Sequence, residues 1–83
     1  MDHYLILARS ITYAQRMQKT LGQTGIRSRI FRAPRDITES GCAYAVQVAA
    51  SDIYNAIHLL ERGMMGPLQI FSYQDGKYRE VGR

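Results

Sequence analysis

The chain has 83 residues and a mass of 9.5 kDa, which predicts one domain over residues 1–83. Its 46% hydrophobic and 22% charged residues are typical of a globular chain and argue against a disordered tail. The single cysteine excludes an intramolecular disulfide, and with two histidines it supplies too few ligands for a zinc site within one chain. The net charge of +4 leaves nucleic acid, an anionic ligand and an acidic partner open.

We expect neither a signal peptide nor a membrane span in this sequence. No apolar run reaches the roughly 20 residues that a membrane span requires. The opening residues Met1–His3 lack the basic start and the long apolar stretch of a signal peptide. We therefore expect a cytoplasmic protein without a membrane partner.

The first half of the chain reads as strand, helix and strand. Tyr4–Leu7 is a continuous apolar run too short for a helix, which indicates a strand buried on both faces or central in a sheet. Ser10 offers a helix N-cap, and the helix ends in Gly22–Gly25, where a glycine can adopt a left-handed conformation. Ile26–Arg32 alternates with period two and predicts a strand with one solvated face. The buried stripe predicted for the helix is Ile11, Ala14, Met17 and Leu21.

The second half repeats this order after a loop. Ala33–Cys42 contains proline, glycine and polar residues and reads as a loop, and Ala43–Ala49 resumes as a strand. A second helix follows, capped by Ser51 or Asp52 and ended by Gly63. Its predicted buried stripe is Ile53, Ala56, Ile57 and Leu60.

The last part of the chain predicts a strand over Leu68–Tyr73 and a turn at Asp75–Gly76. Tyr78–Val81 either forms a short returning strand or frays. Between the second helix and this strand, Met64 and Met65 are interpreted as capping the core, with an adaptable contact for a partner as the less favoured alternative.

The order strand, helix, strand, strand, helix, strand predicts an α+β fold. We expect a ferredoxin-like βαββαβ sandwich, in which an antiparallel sheet carries both helices on one face. In this topology the start of the first helix, the loop Ala33–Cys42 and the residues after the second helix meet at one end of the molecule.

Cys42 lies at the end of that loop. A thiol near a helix N-terminus experiences a partial positive charge that favours the thiolate, and Arg9 and Arg35 lie in the adjoining segments. Gly41 leaves the sulfur uncrowded. Cysteine is also among the most buried residue types, so an inert packed thiol is the alternative.

The loop residues resemble those of a selenium/sulfur carrier protein-like family of small bacterial domains. The matching residues are Pro34 and Arg35, then the aliphatic Ile37, the hydroxyl-bearing Thr38 and the thiol of Cys42. The family usually has Cys-Gly where this chain has Gly-Cys. The helix entry Ser10-Ile11-Thr12 and the dipeptide Gly25-Ile26 also fit, so the resemblance runs from about Tyr4 to Gly63.

This resemblance implies a carrier or accessory protein rather than a stand-alone enzyme. Cys42 would accept sulfur or selenium from a cysteine desulfurase-like donor, hold it as a persulfide or selenide, and pass it to an unidentified acceptor. Arg35, Arg9 and the backbone amides after Ser10 would stabilise the anion, with Thr38 and Gly41 beside it. No metal and no cofactor are expected.

Two alternatives stay open. One is a non-enzymatic module that senses a small ligand or binds a protein, with the arginines and the loop holding a small anion. The other is RNA binding by the sheet face away from the helices, although the chain lacks the Gly-aromatic signature of an RNA-recognition domain. We favour a second copy of the chain on that face over nucleic acid. The residues predicted to project there are Arg27, Arg29, Phe31, Gln47, Gln69, Phe71 and Tyr73.

Overall fold

A computed structural model of the chain describes residues 2–37 and 44–81. Within them the protein forms two α-helices and five β-strands, with short 3-10 turns at Arg35–Ile37 and Ala50–Asp52. The helices are α1 (Ile11–Gly22) and α2 (Ile53–Arg62). The strands are β1 (His3–Ala8), β2 (Arg29–Arg32), β3 (Tyr44–Ala49), β4 (Ile70–Gln74) and β5 (Lys77–Glu80).

The strands form one sheet in the order β2-β3-β1-β4-β5, and every neighbouring pair is antiparallel. This confirms the predicted α+β class and its antiparallel sheet, and it is compatible with a ferredoxin-like arrangement. The fifth strand is the returning strand that was one of the two alternatives for Tyr78–Val81, and it adds to the six elements of the predicted order. It forms because Asp75 and Gly76 both take positive φ values, 53° and 75°, which suits a tight hairpin turn.

The main hydrophobic core lies between the helices and one face of the sheet. Ile6, Val46 and Ile70 supply the sheet side from the three central strands and are at most 1% exposed. Every residue of the stripe predicted for α2 is buried. In α1 the prediction was wrong for Ile11, which is 41% exposed because the first residue of the helix lies at its open end. The helix residues of this core are Ala14, Met17, Leu21, Ile53, Ala56, Ile57 and Leu60.

A second, smaller core lies on the face of the sheet without helices. Leu5 and Ala45 are fully buried there and Phe71 is 7% exposed. Because β1 has Ile6 on one face and Leu5 on the other, both sets of its side chains are buried, as its continuous apolar sequence predicts. The partly buried residues packed against this second core are Leu7, Phe31, Ala33, Ile37 and Tyr78.

The ends of α1 differ in how closely they follow the prediction. Ser10 caps the helix as predicted, and its hydroxyl accepts a 3.1 Å hydrogen bond from the Tyr13 amide. After the helix, Gly25 takes the left-handed conformation, with φ at 86°. β2 then begins at Arg29 rather than at Ile26, because the Ile26 amide donates to the Leu21 carbonyl and belongs to the turn.

The ends of α2 also depart from the simple pattern. Asp52 occupies the N-cap position without a capping hydrogen bond from its side chain, and a 3-10 turn leads into the helix. Gly63 ends the helix with φ at −80°, so it is not the left-handed residue. That conformation falls on Met64, with φ at 60°.

Candidate functional site

The ends of three strands lie side by side at the end of the molecule where the candidate site was predicted. Tyr44, the first residue of β3, pairs with Ala8 at the end of β1 and with Arg32 at the end of β2. Cys42 stands two residues before Tyr44 in the sequence. Three predicted site residues, Thr38, Gly41 and Cys42, lie outside the described residues.

The described half of the loop packs against the helix-free face of the sheet. The Ile37 amide donates a 3.2 Å hydrogen bond to the Pro34 carbonyl and closes the 3-10 turn. The Ile37 side chain packs against the second core, whereas Arg35 is exposed to solvent. The predicted pair Pro34 and Arg35 therefore forms a turn that apolar contact holds in place, and Arg35 lies on its open side.

Arg9 and Ser10 meet around Tyr13 in the first turn of α1. Ser10 binds the Tyr13 amide, and the Cζ atom of Arg9 lies 4.9 Å from the centroid of the Tyr13 ring. Arg16 approaches the same ring at 5.8 Å. Both distances are within the range of a cation–π contact. Arg9 and Ser10, which are adjacent in the sequence, thus share Tyr13 as a partner, while Arg35 is carried by the separate turn after β2.

Tyr13 also joins α1 to the loop after α2. Its hydroxyl donates a 2.8 Å hydrogen bond to the Met65 carbonyl. This confirms that the residues after α2 lie at the same end as the start of α1. Met65 is buried, with 6% of its surface exposed, and caps the core as predicted. The same prediction was wrong for Met64, which is 89% exposed. Tyr13 was not identified from the sequence, where the only signal was its place three residues after a helix cap.

A second arginine–tyrosine contact borders the residues that are not described. The Cζ atom of Arg32 lies 5.8 Å from the centroid of the Tyr44 ring, which packs partly against the main core. Sequence analysis missed this pair as well, because the contact depends on the register between β2 and β3. Arg9, Arg32 and Arg35 are therefore three cations that the fold carries at this end of the molecule, and guanidinium groups of this kind stabilise anions.

The helix-free face carries a row of aromatic rings at the opposite end of the sheet. His3 and Tyr73 stack with their centroids 4.7 Å apart and their planes at 17°. Tyr78 contacts Tyr73 at the same distance with a tilt of 52°. Because β4 lies between β1 and β5, Tyr73 has an aromatic neighbour on each side. This arrangement leaves little of the Tyr73 ring for a nucleic-acid base to stack on.

A pocket of about 250 Å³ lies between the turn after α1 and the outer side of α2. Its lining contains no arginine, so it does not match the predicted anion site. Its residues are Thr24, Ile26, Asn55, His58 and Leu59.

Two other kinds of feature are absent from the described part of the chain. Neither helix there is long and apolar enough to cross a membrane. Within residues 2–37 and 44–81, no three histidine, cysteine or acidic side chains are placed to hold a metal ion.

Comparison with known families assigns the chain. The family described as "Putative Se/S carrier protein-like" matches residues 3–72, and the chain belongs to this family. The match begins with β1 and ends within β4, so that it includes the loop with Pro34, Arg35 and Cys42 and leaves out β5. No curated protein and no solved structure matches the chain.

Proposed function

We propose that the protein is a sulfur or selenium carrier whose cargo is held on Cys42. The observation that carries this proposal is the family match over residues 3–72, which includes the only thiol of the chain. A cysteine desulfurase-like enzyme would supply the atom, and a second, unidentified protein would receive it. The chain acts as a carrier and accessory protein rather than as a stand-alone enzyme.

The chemistry is a thiol exchange without net oxidation or reduction. The Cys42 thiolate attacks the outer sulfur of a persulfide on the donor, a new sulfur–sulfur bond forms, and the bond within the donor persulfide breaks. The donor cysteine leaves as a thiolate, and the proton of its persulfide passes to the new persulfide or to solvent. Delivery repeats the exchange, with the acceptor as nucleophile and Cys42 as leaving group. Selenium takes the place of the transferred sulfur in the same scheme.

The residues around the loop supply the electrostatics that this exchange needs. A thiolate and a persulfide anion are both stabilised by guanidinium groups and by helix N-terminal amides. Arg35 on the turn after β2 and Arg9 beside Tyr13 provide the guanidinium groups. The residues that follow Ser10 provide the helix N-terminal amides. Thr38 and Gly41 are proposed to border the thiol.

We also propose the finer assignments that accompany this function. The order of β1 to β4, with both helices packed on one core, supports a ferredoxin-like βαββαβ sandwich to which β5 is added. Transfer between thiols requires a reducing compartment, so we place the protein in the cytoplasm. A second copy of the chain remains the proposed occupant of the helix-free face. Nucleic acid is less favoured there because of the rings that flank Tyr73.

Intact-mass spectrometry tests the carrier function directly. The protein is incubated with a cysteine desulfurase and cysteine, and we expect a mass increase of one sulfur atom that a reducing agent removes. Cys42→Ser is the matched control and should gain no mass. A native chain without the adduct would contradict the proposal. The small-anion module would then be favoured if the native chain and Cys42→Ser bound the anion equally well.

A further inference from the structure

β2 forms one edge of the sheet. It pairs with β3 on its inner side, and no other strand of the described residues lies on its outer side. The turn that follows β2 leads away from this outer side, because Ile37 packs on the second core, whose buried members come from β1, β3 and β4. The outer side of an edge strand presents backbone N–H and C=O groups without strand partners, to which a further strand can pair. We call the outer side of β2 the β2 edge.

Positive charge is concentrated around this strand. From His3 to Arg35 the sequence contains seven basic and no acidic residues, whereas the rest of the chain contains four basic and seven acidic ones. Four of the seven cations lie within or beside β2 and are exposed, namely Arg27, Arg29, Arg32 and Arg35. The strand at the other edge of the sheet, β5, has charges of both signs in Lys77, Arg79 and Glu80. Uniform positive charge therefore distinguishes the β2 edge from the opposite edge.

The arginines of β2 lie on both faces of the sheet. Ile30 packs against the main core and Phe31 against the second core, so these neighbours lie on opposite faces. Because side chains alternate along a strand, Arg32 shares the helix-bearing face with Ile30, and Arg29 shares the helix-free face with Phe31. A strand added at the β2 edge would therefore meet a cation on each of its two faces. Carboxylates opposite these arginines would form favourable cross-strand pairs.

The uniform charge determines which kind of strand fits. Two copies of the chain that paired through β2 would place arginines opposite arginines, and like charges in that position are destabilising. Charged residues on an edge strand generally discourage unwanted pairing, and here they discourage basic and apolar strands while attracting an acidic one. A single-stranded nucleic acid would need exposed aromatic rings for its bases, but the aromatic residue of β2, Phe31, is half-buried against the second core.

We propose that the β2 edge binds an extended acidic segment of a partner protein as an additional strand of the sheet. Main-chain hydrogen bonds to β2 would supply affinity, and carboxylates opposite Arg29 and Arg32 would supply specificity. Arg27, just before the strand, extends the positive charge along the bound segment. The inference goes beyond the proposed carrier function and does not rest on it, since Cys42 has no part in this contact.

Fluorescence anisotropy with a short labelled peptide tests the charge. In this peptide, pairs of adjacent glutamates alternate with pairs of valines, so that an extended chain has carboxylates on both faces. Arg29→Glu and Arg32→Glu should each weaken binding by about tenfold, because a repulsion replaces an attraction. Arg79→Glu makes the same change of net charge on β5 and should alter the affinity by less than about twofold. Binding to the native chain should weaken as salt increases.

Two measurements on the native chain test the strand pairing itself. A peptide of the same sequence with methylated backbone nitrogens keeps its carboxylates but loses its N–H donors, and we expect it to bind at least about tenfold more weakly. Amide hydrogen exchange, followed by NMR, should slow severalfold within Arg29–Arg32 when the unmethylated peptide is bound. Exchange within Lys77–Glu80 on the opposite edge should stay unchanged.

Several results would overturn the proposal. Native affinity in both Arg29→Glu and Arg32→Glu would show that the arginines do not select the peptide. Equal binding of the methylated peptide, or binding without slower exchange in β2, would show that charge acts without strand pairing. Tighter binding of single-stranded oligothymidine, lost in Arg29→Glu, would assign the β2 edge to nucleic acid instead. Sulfur uptake by Cys42 is measured separately, so each of these results leaves the carrier function standing.

Discussion

The hydroxyl of Tyr13 donates a 2.8 Å hydrogen bond to the carbonyl oxygen of Met65, and this contact joins the first turn of α1 to the loop after α2. The ring of the same tyrosine lies beside the guanidinium of Arg9. One side chain therefore positions a cation of the candidate site, and it also anchors the residue that follows Met64. The geometry at this end of the molecule therefore depends on the hydroxyl group of Tyr13.

Replacing Tyr13 with phenylalanine should lower the free energy of unfolding by about 1 kcal/mol. The carbonyl of Met65 loses a part-buried partner, which is the usual cost of removing one such hydrogen bond. The ring and its contact with Arg9 remain. Urea denaturation of the native chain and Tyr13→Phe measures the difference.

Tyr54→Phe is the control for this experiment, because Tyr54 is 85% exposed and removal of its hydroxyl should not change stability. Equal stabilities for Tyr13→Phe and the native chain would show that water replaces the missing donor at Met65.

Loss of the Ser10 hydroxyl should destabilise the protein through the start of α1. Its oxygen accepts the Tyr13 amide at 3.1 Å, and replacing a serine cap with alanine typically costs about 1 kcal/mol. Ser10→Asn, which also caps well, should recover most of that stability. Thermal or urea denaturation distinguishes the two variants. If Ser10→Ala and Ser10→Asn were equally unstable, the loss of stability would come from how the side chain of residue 10 packs and not from the loss of the capping hydrogen bond.

Two glycines at the end of α1 should respond to alanine with opposite signs. Gly25 has φ at 86°, where a Cβ is strained, so Gly25→Ala should cost on the order of 1 kcal/mol. Gly22 lies in the last turn of the helix, with nothing within 4 Å of the position a Cβ would take. Gly22→Ala should therefore stabilise the protein by roughly 0.5–1 kcal/mol. Denaturation of both variants measures the change in the free energy of unfolding. A change of the same sign in both would contradict the turn conformation assigned to Gly25.

Ile37→Asp should release the turn after β2 from the sheet. A carboxylate in place of an apolar side chain that packs against Leu5, Ala45 and Phe71 would be desolvated without a partner. Trypsin should then cleave after Arg35 severalfold faster than in the native chain. Cleavage after Arg62, in the exposed last turn of α2, serves as the internal reference. Unchanged relative rates would show that Ile37 does not anchor this segment.

The helices and most of the individual strands were predictable because their signals are local. The spacing of Ile53, Ala56, Ile57 and Leu60 defines one face of α2, and the alternation around Val46 defines the faces of β3. The sequence did not decide whether β5 forms, since Asp75–Gly76 allows a turn without requiring the returning strand to pair.

The missed features depend on residues that are distant in the chain. Ile37 is partly buried because its turn packs onto the second core, and no local pattern shows on which face a loop will lie. The hydrogen bond between Tyr13 and Met65 joins the first turn of α1 to the loop after α2, two segments that meet only in the folded molecule. For the candidate site, the roles of Cys42 and Arg35 stay predictions from the sequence motif, whereas the arginine–tyrosine contacts of Arg9 and Arg32 required coordinates.

The central position of β1 has a consequence for how the protein is made. The first strand to emerge from the ribosome is flanked in the sheet by β3 and β4, both from the second half of the chain. Its two edges therefore stay unpaired until β3 and β4 have been synthesised, and closing such long loops slows folding. Nascent chains arrested before Ile70 should remain sensitive to protease, because the apolar first strand still lacks one of its two neighbours. During translation, the strand that ends at the centre of the native sheet is thus the one that waits longest for its partners.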